Sequence, residues 1–282
     1  MHLPASILPI AGGIKVKLDH LMRSGELERA VQRYRGGAAD LGAWSYQIFS
    51  QHGEDGVLAG IIDRVGVGPR KFVEFGFGQV QNNTLGFALR EKAAGLYIDG
   101  SERNCAAALR MFQLIGRPDI KVTCAWIEEA NIDQLVASGT GGGEIDVLSI
   151  DVDGNDYWLW KAIKSVTPRI SIIEYNASFG PGRAVTVPYD RGFERHKKHK
   201  SGLYHGMSLR AAAHLGREKG YALVGCDRDG VNAFFVRRDL LGNGLSEIPA
   251  ERAYRGHQNR LSRGLTPKAQ SQIVYSLPVV DV

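Results

Sequence analysis

Lys71-Phe72-Val73-Glu74-Phe75-Gly76-Phe77-Gly78 is the stretch that decides the fold of this 282-residue chain. A strand-like run ends there at two glycines that are separated by one residue. Because glycine lacks a Cβ, the backbone can turn tightly at this point and approach a ligand closely. Ligands of open α/β sheets bind at the carboxyl ends of the strands. The stretch therefore predicts a sheet strand that is followed by a ligand-binding turn.

Strand-like and helix-like segments alternate several times after this stretch. Further strands are predicted at 95–99, 121–126, 145–151 and 169–175, with helices at 82–90, 101–111, 131–136 and 157–163. The run at 145–151 is almost continuously apolar, which is typical of a parallel strand buried on both faces. Two last strands, 221–224 and 232–236, flank Asp229-Gly230, a hairpin turn signal. The pattern predicts a Rossmann-like α/β fold with a mostly parallel central sheet and a C-terminal antiparallel hairpin.

The regions around this pattern suggest a simple domain organisation. Residues 1–45 are predicted to form an N-terminal helical extension, because 14–34 carry apolar residues near helical spacing. The main domain is predicted to span 46–240. Within it, 177–206 is rich in Gly, Pro, Arg, Lys and His and is predicted to be a long basic loop or lid. Residues 241–282 are predicted to be a polar C-terminal tail.

Composition excludes several classes of protein. The chain has no run of about 18 apolar residues, so we expect no membrane span. Its first residues lack the basic start of a secretory signal, and its three cysteines form no C-x-x-C pair, so a cytoplasmic location is expected. The net charge of +5 permits an anionic partner without indicating nucleic acid. A homodimer is among the assemblies that the sequence permits.

The residues around the glycine turn indicate the kind of cofactor. Asp99 ends the strand after the turn, where one carboxylate suits two ribose hydroxyls. A dinucleotide fingerprint would need a third glycine at the position of Gln81. Glu74, just before the turn, suits the amino and sulfonium cations of S-adenosylmethionine better than a pyrophosphate. A methyl donor is therefore favoured, while an NAD(P)-dependent oxidoreductase and a non-catalytic binding module of the same fold remain alternatives.

Acidic and amide side chains follow two of the later strands. Asp151 and Asp153 are two residues apart and share a face, and Glu174 and Asn176 repeat that spacing after the next strand. These four residues could hold Mg²⁺ or another divalent metal. Alternatively, Asp151 or Asp153 is a general base without a metal, or the group is only a turn and a helix cap. His205, at the end of the long loop, is a further catalytic candidate that could equally be structural.

Several of these motifs together resemble a known family. They are Phe72 to Gly78, Asn82-Asn83-Thr84, Ile98-Asp99-Gly100-Ser101 and Asp151-Val152-Asp153-Gly154-Asn155-Asp156. Over roughly residues 45–238 the chain resembles bacterial FkbM-like methyltransferases. The resemblance implies the class I methyltransferase fold and S-adenosylmethionine as the cofactor. The chain has Asp151-Val152-Asp153-Gly154 where better-studied members tend to have D-x-E-G. Because of this departure, the resemblance does not identify the substrate that accepts the methyl group.

The resemblance also implies roles for individual residues. Glu74, Gly76 and Gly78 would line the methionine part of the cofactor, while Asp99 would hold the ribose. In this fold Trp126 would face the adenine, although a core tryptophan is an equal alternative. The full set of expected cofactor contacts is Gln51, His52, Glu54, Glu74, Gly76, Gly78, Asn83, Asp99, Gly100, Ser101 and Trp126. The expected reaction is methylation of a hydroxyl on a sugar, a glycan or a small metabolite, with Asp151, Asp153 and His205 as the catalytic candidates.

Overall fold

Nine strands are assigned in the computed structural model, which describes residues 40–78 and 81–282. They are β1 (Lys71–Phe75), β2 (Ala94–Asp99), β3 (Ile120–Cys124), β4 (Gly143–Ile150), β5 (Val166–Glu174), β6 (Val185–Thr186), β7 (Tyr221–Cys226), β8 (Asn232–Arg237) and β9 (Val280–Asp281). Seven of them form one sheet in the order β3-β2-β1-β4-β5-β8-β7. The carboxyl ends of β1, β2, β4 and β5 therefore meet along one edge.

Strand direction agrees with the sequence pattern. β1 to β5 pair in parallel, β8 runs antiparallel to β5, and β7 and β8 form an antiparallel hairpin. This confirms the predicted Rossmann-like α/β fold with a mostly parallel central sheet and a C-terminal antiparallel hairpin. Of the predicted N-terminal helical extension, the helices expected at 14–34 lie outside the described residues, and 40–45 contains the 3-10 helix Leu41–Trp44.

Helices connect the strands and cover both faces of the sheet. They are α1 (Glu54–Val65), α2 (Leu85–Arg90), α3 (Glu102–Leu114), α4 (Ile132–Thr140), α5 (Asp156–Ala162), α6 (Arg195–Lys198), α7 (Leu209–Glu218), α8 (Ala250–Ala253), α9 (Gln258–Ser262) and α10 (Pro267–Val274). Cap residues set several starts: the Ser101 hydroxyl accepts from the Asn104 amide at 3.3 Å and so begins α3. Within the described part of the chain, no helix combines the length and apolar composition needed to cross a bilayer.

The sheet is buried on both faces, and the pleat decides which residue enters which core. Phe72 belongs to the apolar core on the α1 and α3 side, whereas Val73 and Phe75 belong to the core on the α5 and α7 side. Side chains alternate along a strand, so Glu74 must point to the same side as Phe72. This register determines what Glu74 can contact.

The predicted loop or lid at 177–206 is an ordered part of the fold. It contains the 3-10 helix Ala177–Phe179, strand β6 and helix α6, and β6 pairs antiparallel with β9. A third apolar cluster lies between this segment and the region expected to be a tail, formed by Phe179, Val185, Val187, Phe193, Leu203, Tyr204 and Val274. Residues 241–282 therefore fold back and pack against 177–206.

Candidate active site

A cavity of about 690 Å³ lies at the carboxyl ends of β1, β2, β4 and β5, the edge where ligands of open α/β sheets bind. The predicted site residues that line it are Gln51, His52, Gly76, Gly78, Asp99, Gly100, Ser101, Trp126, Asp151, Asp153 and Glu174. The structure thus brings both halves of the predicted site, the cofactor contacts and the carboxylates, into one space.

Two glycines allow the cavity walls to approach each other. Gly76 has φ +69°, and a Cβ there would lie 1.5 Å from the carbonyl oxygen of Asp151. A Cβ on Gly100 would lie 2.8 Å from Cε3 of Trp126. The turn after β1 therefore passes directly against the backbone after β4, and the Trp126 ring lies against the backbone after β2.

One carboxylate oxygen of Asp99 accepts hydrogen bonds from the protein, and the other is free to accept from a ligand. Its Oδ1 accepts from the Ser101 amide at 2.7 Å, while Oδ2 has no hydrogen-bond partner among the described residues. Partial burial raises the pKa of Asp99 above its ordinary value. A half-buried carboxylate with an open oxygen is suited to accept from hydroxyl groups of a ligand.

Trp126 is a wall of the cavity, and the alternative of a core tryptophan is wrong. Its side chain is 53% exposed, and its Nε1 donates to the carbonyl of Arg191 at 3.0 Å. A flat, partly exposed ring of this kind can stack on a planar base.

Glu74 is not among the residues that line the cavity, in contrast to the prediction that it lies against the methionine part of a cofactor. The pleat directs it beneath the turn, where its carboxyl accepts from the amides of Asn83 at 2.8 Å and Thr84 at 2.9 Å. The Thr84 hydroxyl also donates to it. Burial raises the pKa of Glu74 to about 7. Glu74 therefore fixes the loop that leads into α2.

Two more residues that were expected to contact the cofactor lie behind the residues that line the cavity. Glu54 is buried and accepts from the Asn232 amide group at 2.7 Å and from the backbone N–H of His52 at 2.8 Å. The Asn83 side chain donates to Ser149 Oγ at 3.1 Å. Neither Glu54 nor Asn83 lines the cavity, which corrects both predictions. Their hydrogen bonds support the loops that do line it.

Asp151 and Glu174 form a carboxyl pair at the acceptor end of the cavity. The two side chains are in hydrogen-bond contact. Desolvation is the largest cause that raises the pKa of each. The charge of Asp151 also raises the pKa of Glu174, whereas the hydrogen bond with Glu174 lowers the pKa of Asp151. Two carboxyls in contact cannot both be ionised at low cost, so they share one proton. Both residues line the cavity, and Asp151 is the more exposed of the two.

Asp153 lies beside this pair and is paired with a cation. Its backbone is in the left-handed region, with φ +57°, and its side chain forms an ion pair with Arg195. The residue is exposed and lines the cavity. Arg195 therefore balances one of the negative charges that the sequence concentrates here.

His205 lies behind the carboxyl pair and does not line the cavity, so it cannot be a base that touches a substrate. It is 1% exposed, and burial lowers its pKa well below the ordinary value, which keeps it neutral. Arg260 Nη2 donates to its Nε2 at 3.0 Å, and its Nδ1 lies 3.9 Å from Glu174 Oε2. The predicted catalytic role is therefore corrected to an indirect one.

Asn176 does not support its prediction as a metal ligand. Its Oδ1 accepts from the Ser178 amide at 3.0 Å and from Arg260 at 2.9 Å. Its Nδ2 donates to the carbonyls of Leu203 at 2.6 Å and His205 at 2.9 Å. The buried amide is fully used in holding the chain after β5.

The remaining acidic cluster does not fit a divalent metal. Ligand atoms of Asp153, Glu174 and His205 lie within 4.8 Å of one another. Arginine only donates, so Arg260 requires His205 Nε2 to accept and places the proton on Nδ1, the nitrogen that faces Glu174. A protonated nitrogen cannot bind a metal. Arg195 and Arg260 already supply the positive charge that the carboxylates need.

The cavity includes residues that the sequence analysis missed. They are Phe77, Asn104, Val152, Asn155, Leu159, Phe193, Arg195, Val231, His257 and Arg260. Asn104 could have been found from its place three residues after the Ser101 cap. His257 and Arg260 belong to the polar region after β8, which carries no motif. Burial, with the charge of Arg260, lowers the pKa of His257 to about 4.

Much of the positive charge in the basic run at 191–200 is paired within the fold. Lys197 forms an ion pair with Glu194 at 2.6 Å, and Lys198 pairs with Asp190. Arg195 is engaged by Asp153, as described above. The run therefore exposes fewer unpaired positive charges to solvent than its sequence suggests.

Comparisons with known proteins return solved structures of low similarity. The N-terminal domain of EvdMO1, in the presence of SAH and D-fucose, is 12% identical with a TM-score of 0.41, over 77% of this chain and 96% of that chain. The same domain with SAH bound is 12% identical with a TM-score of 0.39, over 76% and 94%. An O-methyltransferase family protein from Burkholderia thailandensis is 12% identical with a TM-score of 0.41, over 81% and 72%.

No family model and no curated protein matches the chain. The resemblance to FkbM-like methyltransferases therefore stays a prediction.

Proposed function

We propose that the protein is an S-adenosylmethionine-dependent methyltransferase that methylates a hydroxyl oxygen of a small, uncharged acceptor such as a sugar. The observation that carries the proposal is the content of one cavity. At one end a half-buried carboxylate, Asp99, lies beside the Gly76-Phe77-Gly78 turn. At the other end lie two carboxyls, Asp151 and Glu174, and burial raises the pKa of each.

The cofactor end suits an adenosyl group. Asp99 Oδ2 is open to accept from ribose hydroxyls, and the exposed ring of Trp126 can stack on adenine. The turn at Gly76 lies directly against the backbone of Asp151, which brings the end of β1 next to the strand end that carries the carboxyl pair. The cavity volume of about 690 Å³ lies in the range of small-molecule sites, about 300–1,000 Å³.

The same end is poorly suited to a dinucleotide. A pyrophosphate would need backbone N–H groups at the start of the helix after β1. Here the Glu74 carboxyl already accepts from the amides of Asn83 and Thr84 at that position. A second anion would meet a carboxyl instead of open donors, which disfavours NAD(P).

The charges of the cavity favour an uncharged acceptor. Asp99, Asp153 and the proton-sharing pair together carry about three negative charges, and Arg195 and Arg260 carry two positive ones. S-adenosylmethionine contributes a net positive charge through its sulfonium group. The loaded site is then close to neutral. Phe193 offers an apolar face next to these hydrogen-bonding groups, a combination that suits a sugar ring.

The chemistry needs little from the protein beyond alignment and removal of one proton. The acceptor oxygen attacks the methyl carbon in line with the bond to sulfur, and that bond breaks with its electron pair going to sulfur. The hydroxyl proton passes to the ionised member of the carboxyl pair. The products are the methyl ether and S-adenosylhomocysteine.

Binding titrations test the cofactor. We expect S-adenosylmethionine and S-adenosylhomocysteine to bind and to raise the melting temperature, and NAD(H) and NADP(H) to do neither. Asp99→Asn should weaken binding by about 10- to 100-fold, because bonds to a charged group contribute about 1.5–3 kcal/mol. Asp119→Asn is the control, since Asp119 is an exposed carboxylate outside the cavity.

Turnover of the same samples tests the reaction. Release of S-adenosylhomocysteine is measured with a panel of sugars and other hydroxyl compounds, with and without a chelator. We expect turnover with at least one hydroxyl acceptor and no effect of the chelator. Binding of NAD(P) in place of S-adenosylmethionine would refute the proposal, and so would an unchanged affinity in Asp99→Asn.

A further inference from the structure

The hydrogen bonds around His205 fix which of its nitrogens carries the proton. A guanidinium has only donors, so Arg260 Nη2 must donate to His205 Nε2 across their 3.0 Å contact. The same guanidinium is held in place by Asn176 Oδ1 at 2.9 Å and Ser178 Oγ at 2.8 Å. A neutral imidazole that accepts at Nε2 carries its proton on Nδ1.

The Nδ1 proton faces an atom that lacks a partner. Glu174 Oε2 and His205 Nδ1 are both buried and have no hydrogen bond within the described residues. They lie 3.9 Å apart, which is too long for a hydrogen bond but close enough for a small side-chain shift to form one. Buried polar atoms without partners are rare, and catalytic hydrogen bonds often tighten only when substrate binds.

The charges around the carboxyl pair are not symmetric. Glu174 faces Arg195 and Arg260, which favour its ionised form, as well as Asp151, Asp153 and Asp156. The charges of Asp153, Asp156 and Glu54 disfavour ionisation of Asp151, and its hydrogen bond with Glu174 favours it. His205 faces Arg195, Arg260, His257 and His196, which disfavour its protonation.

We propose that Glu174 is the general base of the site and that Arg260 is a positioning residue, which acts by holding His205 in the Nδ1–H tautomer. His205 then donates to Glu174, and the shared proton resides on Asp151. Glu174 accepts the proton of the acceptor hydroxyl as the oxygen bonds to the methyl carbon. This inference rests on the proposed function, and it exchanges the roles that the sequence suggested for Asp151 and Glu174.

NMR of the full chain tests the tautomer without any acceptor. In protein with ¹⁵N-labelled histidine, long-range ¹H–¹⁵N spectra at pH 7 should show His205 neutral and protonated at Nδ1. Arg260→Met should shift His205 towards the Nε2–H form, while Arg260→Lys, which keeps a donor, should shift it less. Arg263→Met is the matched control, because Arg263 is exposed and lies outside the cavity.

Two results would overturn the positioning role. One is an Nε2–H tautomer in the unaltered protein, and the other is an Nδ1–H tautomer that survives Arg260→Met. The melting temperature of each variant shows whether it has folded, and Arg260→Lys carries the test if Arg260→Met does not fold.

Carboxyl titration tests which member of the pair holds the proton. With ¹³C-labelled aspartate and glutamate, Glu174 should be ionised and Asp151 protonated at pH 7. His205→Asn places an amide N–H near the position of Nδ1, whereas His205→Gln places it near Nε2. We therefore expect the pKa of Glu174 to rise by about one unit or more in His205→Gln and by less in His205→Asn.

A protonated Glu174 beside an ionised Asp151 would refute the assignment of the base. The outcome is distinct from failure of the proposed function, which would appear as absent binding of S-adenosylmethionine in the separate titrations. The tautomer and carboxyl measurements remain decisive in either case.

Discussion

Gly76 shows how one residue determines the shape of the cofactor end. Its φ of +69° belongs to the left-handed region, and the position that a Cβ would take is 1.5 Å from the Asp151 carbonyl oxygen. Backbone strain and backbone contact therefore both require glycine at this position. The turn after β1 can reach the backbone after β4 only because this side chain is missing.

Gly76→Ala should lower the free energy of unfolding by about 3 kcal/mol or more, since a left-handed φ costs about 1–2 kcal/mol and overpacking about 1–3 kcal/mol. Gly66→Ala is a matched control, because Gly66 has φ +73° but, among the described residues, no atom lies within 4 Å of the position that its Cβ would take. It should lose only the strain. Urea unfolding measures both. Equal losses in the two variants would contradict the backbone contact.

Among the elements, the segment 177–206 and the chain after β8 depend on each other. Their contact consists of the β6–β9 pairing and the third apolar cluster. Val274, from α10, is fully buried in that cluster. The segment that carries Phe193 and Arg195 to the cavity is thus held by residues from the last helix.

Val274→Ala should cost about 2 kcal/mol, because it leaves a small cavity in a packed cluster. We expect amide hydrogen exchange to rise most in 185–205 and least in the central strands, which local packing protects independently. Val279→Ala should have a smaller effect, because Val279 is only partly buried. Uniform acceleration across the sheet would show that the segment does not open as a separate unit.

Sequence patterns predicted the elements better than the contacts between them. Apolar runs and glycine turns identify β1, β2, β4 and β5, and strand ends identify Asp99 and Asp151, because these signals are local. The pleat that turns Glu74 away from the cavity is also local, but it becomes evident only when Phe72 is assigned to a core face. Arg260 could not be predicted, because its position depends on how a motif-free region folds back.

At the scale of the whole molecule, several buried carboxyls affect the pH dependence of stability. Burial raises the pKa of Glu74 to about 7, of Asp55 to about 6, of Asp156 to about 6 and of Asp227 to about 8. A raised pKa means that the folded state binds more protons than the unfolded state. The stability from these groups is complete below pH 4 and is lost as pH rises through 6 to 8.

We therefore expect the free energy of unfolding to fall by about 3 kcal/mol or more between pH 5 and pH 8, at about 1.4 kcal/mol per pKa unit. Carboxyls with lowered pKa values, such as Asp119, are in surface ion pairs and oppose this only weakly. The lowered pKa values of His205 and His257 oppose it only up to about pH 6.5, the ordinary pKa of histidine. Urea unfolding at several pH values measures the slope, which Glu74→Gln should reduce and Glu218→Gln, at an exposed position, should not. A protein that gains stability from pH 5 to 8 would contradict this account.

The order of assembly on the ribosome follows from the position of Arg260. The glycine turn and Asp99 are synthesised before β4 and β5, the strands that carry the carboxyl pair. The guanidinium that orients His205 arrives only after the hairpin of β7 and β8 has been synthesised. A product that stops short of α9 would lack the residue that prepares the proton acceptor, although it would carry Gly76, Asp99 and Trp126.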